Sequence, residues 1–495
     1  MRVNLSLFMT HRSTCLLLFA LLWALSASAQ NLFWREPLRI TFTSGSTNNA
    51  ELAAGAANGL LHLVCNDHEG YSPDHAYYRR STDGGASFSA GRQLDVYPHG
   101  WASVPAVATS GQTVHVVYEQ HMPSGPELKI AYRRSMDGGL HWERPIFLNH
   151  NAILPRVACQ GDSVYVLYNI WQEPRHTRFR YSYDGGRTWS PEISLYPECV
   201  YPDLAACDGK VFVAYTYMEG GVIEIYLRRS LDGGQSWQPP QPVSANPDEH
   251  SQDPHLAAQP GGLLAVSWFD YEHSPMPWAG YIQCRVSENY GQSFNAIHVV
   301  SDTYYCSLND IAVCGSQVHV AYTDERWGLS HTGIYYRLSP DAGAHWLAEQ
   351  ALCADSNWAQ DPSIVAQPGL AYVAWEKNDG ELYFTAGSNI STMSLAGQAI
   401  VEHNSYGFSV WPNPANGVVN LFYNLPGSVG PATLRIYDLA GRLVRFWPLD
   451  GLSPGQHSLR WENDNQSGNA TSSGNYYIIL WQGNNQIVKS LTLIK

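Results

Sequence analysis

Short apolar runs, each stopped by turn residues, recur along the chain from about residue 30 to residue 388. Val157-Ala158-Cys159, Ala205-Ala206-Cys207 and Ala312-Val313-Cys314 are each followed within two residues by a glycine, and Tyr372-Val-Ala-Trp375 follows one. No helical period of 3.6 residues runs for any length in this region, so the pattern predicts many short strands joined by tight turns. Composition agrees: 42 Gly, 30 Tyr and 17 Trp accompany only 15% charged residues, a mixture suited to an all-β chain.

The first 29 residues differ. Arg2 and Arg12 precede an apolar run from Leu16 to Leu25, and Ala27-Ser28-Ala29 supplies a small-residue cleavage site before Gln30. This predicts a signal peptide, since the apolar run is too short to span a bilayer comfortably. With no second segment of spanning length, a secreted or cell-surface location is expected.

A repeat of the form Ser-x-Asp-x-Gly-x-x-Trp/Phe organises the middle of the chain. It occurs at Ser81/Asp83/Gly85/Phe88, Ser135/Asp137/Gly139/Trp142, Ser182/Asp184/Gly186/Trp189 and Ser230/Asp232/Gly234/Trp237. Looser copies follow at Ser287/Asn289/Gly291/Phe294 and Ser339/Asp341/Gly343/Trp346. Spacings of 47 to 57 residues match one four-stranded propeller blade per copy. The Asp accepts hydrogen bonds from its own turn, the Gly permits a positive φ, and the aromatic ring staples the hairpin into its blade. The repeated aspartates are therefore read as folding devices. The motif resembles the Asp box (BNR repeat) of sialidases and other propellers.

Apolar inner strands introduced by a polar residue or proline begin near Glu51, Ala106, Arg156, Asp203, His255, Asp310 and Ser363. The seventh unit lacks both a box and an outer strand. Phe33-Trp34-Arg35-Glu36-Pro37-Leu38 reads like His141-Trp142-Glu143-Arg144-Pro145-Ile146, which follows a box. The N-terminal segment is therefore expected to supply the missing strand. The predicted architecture is a seven-bladed β-propeller over residues 30–388, six blades as in sialidases being the alternative, then a linker at 389–407 and a small Ig-like β-sandwich at 408–495.

The tail resembles the type IX secretion sorting domain. The elements that match are Trp411-Pro-Asn-Pro414, Leu434-Arg-Ile-Tyr-Asp438 with Gly441-Arg442-Leu-Val444, Gly455-x-His457-x-Leu-x-Trp461, Ser473-Gly474-Asn-Tyr-Tyr477 and Ile487 to Lys495. Its core is expected around Ile436, Leu443, Trp461 and Tyr477. The resemblance implies the outer-membrane secretion machinery as a partner, and removal of this domain after export.

Net charge is −14, and because both ends of the chain are net positive, the acidity lies in the propeller. Such a field disfavours nucleic acid and anionic membranes. Eight cysteines remain beyond the signal peptide, without metal-ligand spacing. No metal or other cofactor is expected, and disulfide pairing is open.

Propeller ligands enter where the inner strands begin, opposite the boxes. One position there reads Glu51, Ala106, Arg156, Asp203, His255, Asp310, Ser363. Chemical variety at a fixed place in a repeat is what a built site looks like; a solvated rim is the alternative. Arg156, Glu51, Asp253, Asp361, Glu119 and Glu376, with Trp101, Trp268, Trp327 and Trp358, are the candidate ligand-binding residues. Carboxylates suit sugar hydroxyls and aromatic faces suit apolar sugar faces. If the protein is an enzyme, Asp203 and Asp310 are the candidate catalytic pair of an inverting glycoside hydrolase, at roughly 6.5–9.5 Å, with His255 between them. Sialidases clamp a carboxylate with three arginines introduced by Arg-Ile-Pro; here Arg39-Ile40 is followed by Thr41, and only Arg156 and Arg326 are well placed. A glycan- or protein-binding propeller is thus the leading expectation, a glycoside hydrolase the alternative.

Overall fold

The computed structural model describes residues 32–388 and 408–494, apart from short segments, chiefly 43–46, 68–73, 97–100, 123–126, 171–175, 197–199, 220–221, 245–249, 272–279, 327–331, 354–357, 412–414, 426–431 and 450–454. The predicted signal peptide and linker lie outside the described residues. No described helix is long and apolar enough to cross a membrane. Contacts divide the chain into two compact units, one of them Trp34–Ser388 and the other containing Asn389–Lys495.

Within the first unit seven antiparallel sheets are described: six have four strands in chain order, and the last joins three strands from the end of the unit to two short ones from its start. Their inner strands are Thr47–Ala54, Trp101–Ser110, Ala152–Gln160, Val200–Cys207, Ser251–Ala258, Cys306–Cys314 and Ala359–Gln367. Each inner strand packs against the next in sequence, and the last against the first. The apolar runs that predicted strands fill the spaces between neighbouring sheets. Tyr118, Tyr168, Tyr215, Tyr322, Trp268 and Trp375 are all fully buried.

The last sheet is completed by the start of the unit, as the sequence led one to expect. Leu38 pairs with Phe384, and the Ile40 amide donates to the Leu382 carbonyl at 2.8 Å. Trp34 meets Tyr336 edge-on at 4.7 Å, the same arrangement as Trp142 on Tyr78 at 4.8 Å and Trp189 on Tyr132 at 5.0 Å. Trp34 thus replaces the aromatic staple of the missing box. Closure leaves no sheet in the series with an unpaired inner neighbour.

The boxes behave as local folding devices. In the second, the Asp137 carboxylate accepts the His141 amide at 2.8 Å, and the Ser135 hydroxyl accepts the Gly139 amide at 2.8 Å. Gly139 has φ of +88°, and a Cβ there would overlap the Tyr78 ring of the preceding sheet. Gly85 lies against Phe384 in the same way, so the first box is seated on the last sheet. Arginines on the third strands tie sheets together. Arg180, Arg285 and Arg337 donate to the carbonyls of Leu148, Val243 and Val300, one sheet back, at 2.6–2.8 Å. Arg133 and Arg228 do the same to Leu94 and Leu195.

Three second strands carry a buried histidine whose Nδ1 shares a hydrogen bond with a tyrosine hydroxyl at 2.7–2.8 Å: His62 with Tyr78, His115 with Tyr132, His319 with Tyr336. Burial pushes their pKa values down from 6.5 to about 4, 4 and 3 respectively. Cys65, Cys159, Cys207, Cys284, Cys306 and Cys314 are free thiols; Cys199 lies outside the described residues.

The second unit is a two-sheet sandwich. Phe408–Trp411, Val419–Leu425 and Gly455–Trp461 form one sheet; Leu443–Pro448, Ala432–Asp438, Gly474–Gln482 and Asn485–Leu493 form the other. Ile436 and Trp461 are in its core as expected. Leu443 and Tyr477 are not: Val444 and Tyr476 take those places, Leu443 being 51% exposed. Strand side chains alternate faces, so a one-residue error in phase moves a side chain to the other side.

Two outcomes test this fold. Trp34→Ala should cost the propeller roughly 2–3 kcal/mol, below the 3–5 of a fully buried tryptophan, and should speed hydrogen exchange in Leu382–Ser388. The histidines prefer to be neutral when folded, so their contribution is complete above pH 6.5 and is lost as pH falls toward 4 and then 3. The fall in stability between pH 6.5 and 4 should be shallower in His115→Gln, measured by urea unfolding.

Candidate functional site

The seven inner strands share one irregularity. Just before Glu51, Ala106, Arg156, Asp203, His255, Asp310 and Ser363 the pairing register slips. Two residues earlier the backbone enters the left-handed region in every case: Asn49, Val104, Leu154, Tyr201, Asp253, Leu308 and Asp361 have φ of +25° to +54°. None is glycine. Such a conformation costs about 1 kcal/mol or more per residue, most for β-branched Val104. Bulges re-aim side chains, and this one turns the seven candidate positions toward one another.

The bulges are held from the neighbouring sheet. Amides of Asn49, Val104, Leu154 and Asp253 donate to Glu376, Asn66, Glu119 and Thr216, each near the end of the preceding sheet's second strand, at 2.6–3.2 Å. Glu119 is buried and also accepts the Ser103 hydroxyl at 2.6 Å. Burial opposes its charge, but hydrogen bonds from His121, Ser103 and the Leu154 amide outweigh it and lower its pKa. Glu119 is thereby a clamp on the next bulge, with both oxygens occupied. Asn66 and Thr216, which the sequence reading did not single out, perform the same task; their place near a second-strand end was the available signal.

A second set of bonds runs between inner strands. Glu51 accepts the Val107 amide (3.0 Å), Asp203 the Leu256 amide (2.7 Å), Asp310 the Ile364 amide (2.8 Å), and Ser363 the Leu52 amide (3.1 Å). The last of these crosses from the seventh sheet to the first. Glu51, Asp203 and Asp310 therefore each spend one oxygen on the adjoining sheet.

Their other oxygens meet the two cations. Arg156 Nε lies 3.7 Å from Asp203 Oδ1, and His255 Nδ1 lies 3.4 Å from Asp310 Oδ1. Five carboxyl groups (Glu51, Asp203, Asp253, Asp310, Asp361) thus share one arginine and one histidine. Burial opposes the charge of His255, but its bond to Asp310 and the surrounding carboxylates outweigh this and raise its pKa to about 9. Burial raises Glu51 to about 7, against the pull of Arg156, and raises Asp203 against His255 and Arg156. Burial and Asp253 lift Asp361 to about 6, and burial and Asp361 lift Glu376 to about 7. At neutral pH the cluster holds a charged imidazolium, with Glu51 and the adjoining Glu376 close to half-protonated. It therefore offers donors as well as acceptors. Among the described residues no three His, Cys, Asp or Glu side chains converge to hold a metal ion.

The aromatic candidates separate. Trp101 is 43% exposed and stacks on His121, and Tyr201, on a bulge, is 51% exposed. Trp358 is half-buried just before the seventh inner strand. Trp268 is completely buried between sheets among Leu227, Val243 and Val266, so it cannot present a face to a ligand. Trp327 lies outside the described residues. Arg326 is taken by Asp324 and by Glu349 at 2.8 Å, which leaves Arg156 alone of the two arginines considered for a carboxylate clamp.

The BNR repeat-like domain family matches residues 22–216, and the FlgD Ig-like domain family matches residues 414–485. Residues 22–216 thus carry BNR-like repeats within the propeller of sheets, and an Ig-like match lies in the second unit. No curated protein matches it. Similar solved structures include a protein of unknown function from Dyadobacter fermentans (14% identity, 72% of this chain and 99% of that one, TM-score 0.44). An ulvan lyase of polysaccharide lyase family 25 is similar at 14% identity, covering 73% and 95% with a TM-score of 0.49. A Hadza microbial sialidase is similar at 13% identity, covering 74% and 93% with a TM-score of 0.40.

Because Glu51 prefers to be protonated when folded, its contribution is full below about pH 4.5 and is lost as pH rises through about 7. Glu51→Gln keeps an acceptor for the Val107 amide and removes that loss. It should gain about 1–2 kcal/mol relative to the parent at pH 8 compared with pH 4, the figure allowing for screening by channel water. Urea unfolding at the two pH values measures it.

Proposed function

We propose that this protein is an extracellular seven-bladed propeller that binds glycan at the convergent ends of its inner strands. The observation that supports this most is the cluster of Glu51, Arg156, Asp203, His255, Asp310 and Asp361. Neutral carboxyls donate and ionised ones accept, as the paired hydroxyls of a saccharide require, while exposed Trp101 and Tyr201 offer ring faces. Glu51, Asp203 and Asp310 are also struts between sheets, which favours a rigid recognition surface over mobile acid–base groups. Arg156→Gln and His255→Gln should each weaken binding on a glycan array by tenfold or more while leaving the melting temperature within a few degrees. Undiminished binding in both would sink the reading.

The glycoside-hydrolase alternative draws on one specific feature, the carboxyl groups held between about 6 and 7, where a general acid works best. On that reading, Asp203→Asn and Asp310→Asn each abolish turnover of a polysaccharide and keep binding.

We further propose that residues 1–29 are a signal peptide and that residues 408–495 direct export through the type IX machinery. The order of the tail motifs and their two-sheet sandwich support this. Deleting residues 408–495 should leave the propeller inside the cell envelope, whereas the full chain reaches the medium or the outer surface. Equal release of both forms, followed by immunoblot, would refute it.

A further inference from the structure

At the opposite end of the sheets from this cluster, the first and second box hairpins enclose an open cavity of about 470 Å³. It is lined by Tyr78, Arg80, Ser87, Phe88, Arg92 and Leu140, among others. Arg80 immediately precedes the first box, as Arg134 precedes the second. The two arginines are treated differently. Arg134 donates to both oxygens of Glu143, from Nε at 2.7 Å and from Nη2 at 3.1 Å, and Nη1 donates to the Gly185 carbonyl. The residue that corresponds to Glu143 in the first hairpin is Ser89, whose amide meets the Arg80 carbonyl as that of Glu143 meets Arg134. Ser89 is too short to reach the guanidinium, and its hydroxyl accepts the Arg80 backbone amide instead. The Nε of Arg80 is shielded from solvent and has no acceptor among the described residues.

Arg92, which lines the same cavity, donates to the Leu140 carbonyl at 2.6 Å. The acidic residues of the two boxes do not neutralise the pair. Asp83 is engaged by Ser81 and Ser87, and Asp137 by Ser135 and His141. A shielded guanidinium donor without a partner is costly to leave so, and an arginine fork matches an oxyanion. Leu140, 54% exposed, and the Phe88 ring add an apolar border.

We infer that the cavity between the first and second box hairpins is an oxyanion site, in which Arg80 and Arg92 hold the carboxylate or sulfate ester of an acidic ligand where Glu143 sits in the next blade. It is independent of the cluster at the other end of the sheets. The test is calorimetric titration of the full chain with sodium sulfate and, separately, sodium acetate, at constant ionic strength in chloride. Wild type should bind at least one of them at a single site. Preference for sulfate points to a sulfate or phosphate ester, and preference for acetate to a uronate. Ser89→Glu rebuilds the second-blade ion pair and should lower that affinity tenfold or more without lowering the melting temperature; Arg80→Gln should lower it similarly. Absence of binding for both anions, or affinity unchanged in Ser89→Glu, overturns the assignment.

Discussion

The hydrogen bond that a backbone amide of one inner strand donates to a polar side chain of the inner strand before it is the constraint on which this propeller depends. A sheet packed only by apolar side chains against its neighbour is free to slide, since burial has no preferred direction. A carboxylate oxygen 2.7–3.0 Å from a fixed amide is directional. At the four junctions where it is described, it sets how far the adjoining sheets are rotated and how high they stand. Ser363 on Leu52 applies the same rule across the closing junction. The bulges before these residues, with their left-handed backbones, are what aim the side chains sideways.

The candidate site is inseparable from this framework. Asp203 and Asp310 have one oxygen fixed by a neighbouring sheet and one facing a cation, so a ligand meets half of each group. That geometry limits how these carboxylates can move and leaves their electrostatics to the crowd around them. Five acids against one arginine and one histidine is an unbalanced set. Burial, with the neighbouring acids adding to it, raises the carboxyl pKa values, and the same acids raise that of the imidazolium against burial. Protonation of the acids lets such a cluster remain buried without full charge repulsion.

Much of the fold was legible because its signals repeat. Six boxes at near-constant spacing, and the likeness of residues 33–38 to residues 141–146, were enough to place Leu38 opposite Phe384. The position shared by Glu51, Arg156, Asp203, His255 and Asp310 was legible for the same reason. What sequence could not give was the second occupation of those side chains. An inter-sheet bond joins residues 35 or more positions apart with no fixed motif, so Glu119 read as a rim group rather than a clamp. Trp268 looked like the other tryptophans because loop and strand tryptophans differ only in phase. In the sandwich, the same phase ambiguity exchanged Leu443 with Val444 and Tyr477 with Tyr476. Arg80 was passed over since its distinction from Arg134 lies in a residue nine positions away, Ser89 in place of Glu143.

The pairing of Leu38 with Phe384 also governs when this molecule can become whole. During synthesis the first strand emerges long before its partner, and it must stay unpaired until nearly 350 further residues have been made. Sheets one to six are each local and can form as they appear. The seventh is a long-range contact whose loop-closure entropy falls due only at the end. Until then the growing chain is an open arc with two raw flanks, each with an apolar face that seeks a cover. Any interruption of translation before residue 388 yields that arc, a species built to capture a stranger's strand or sheet.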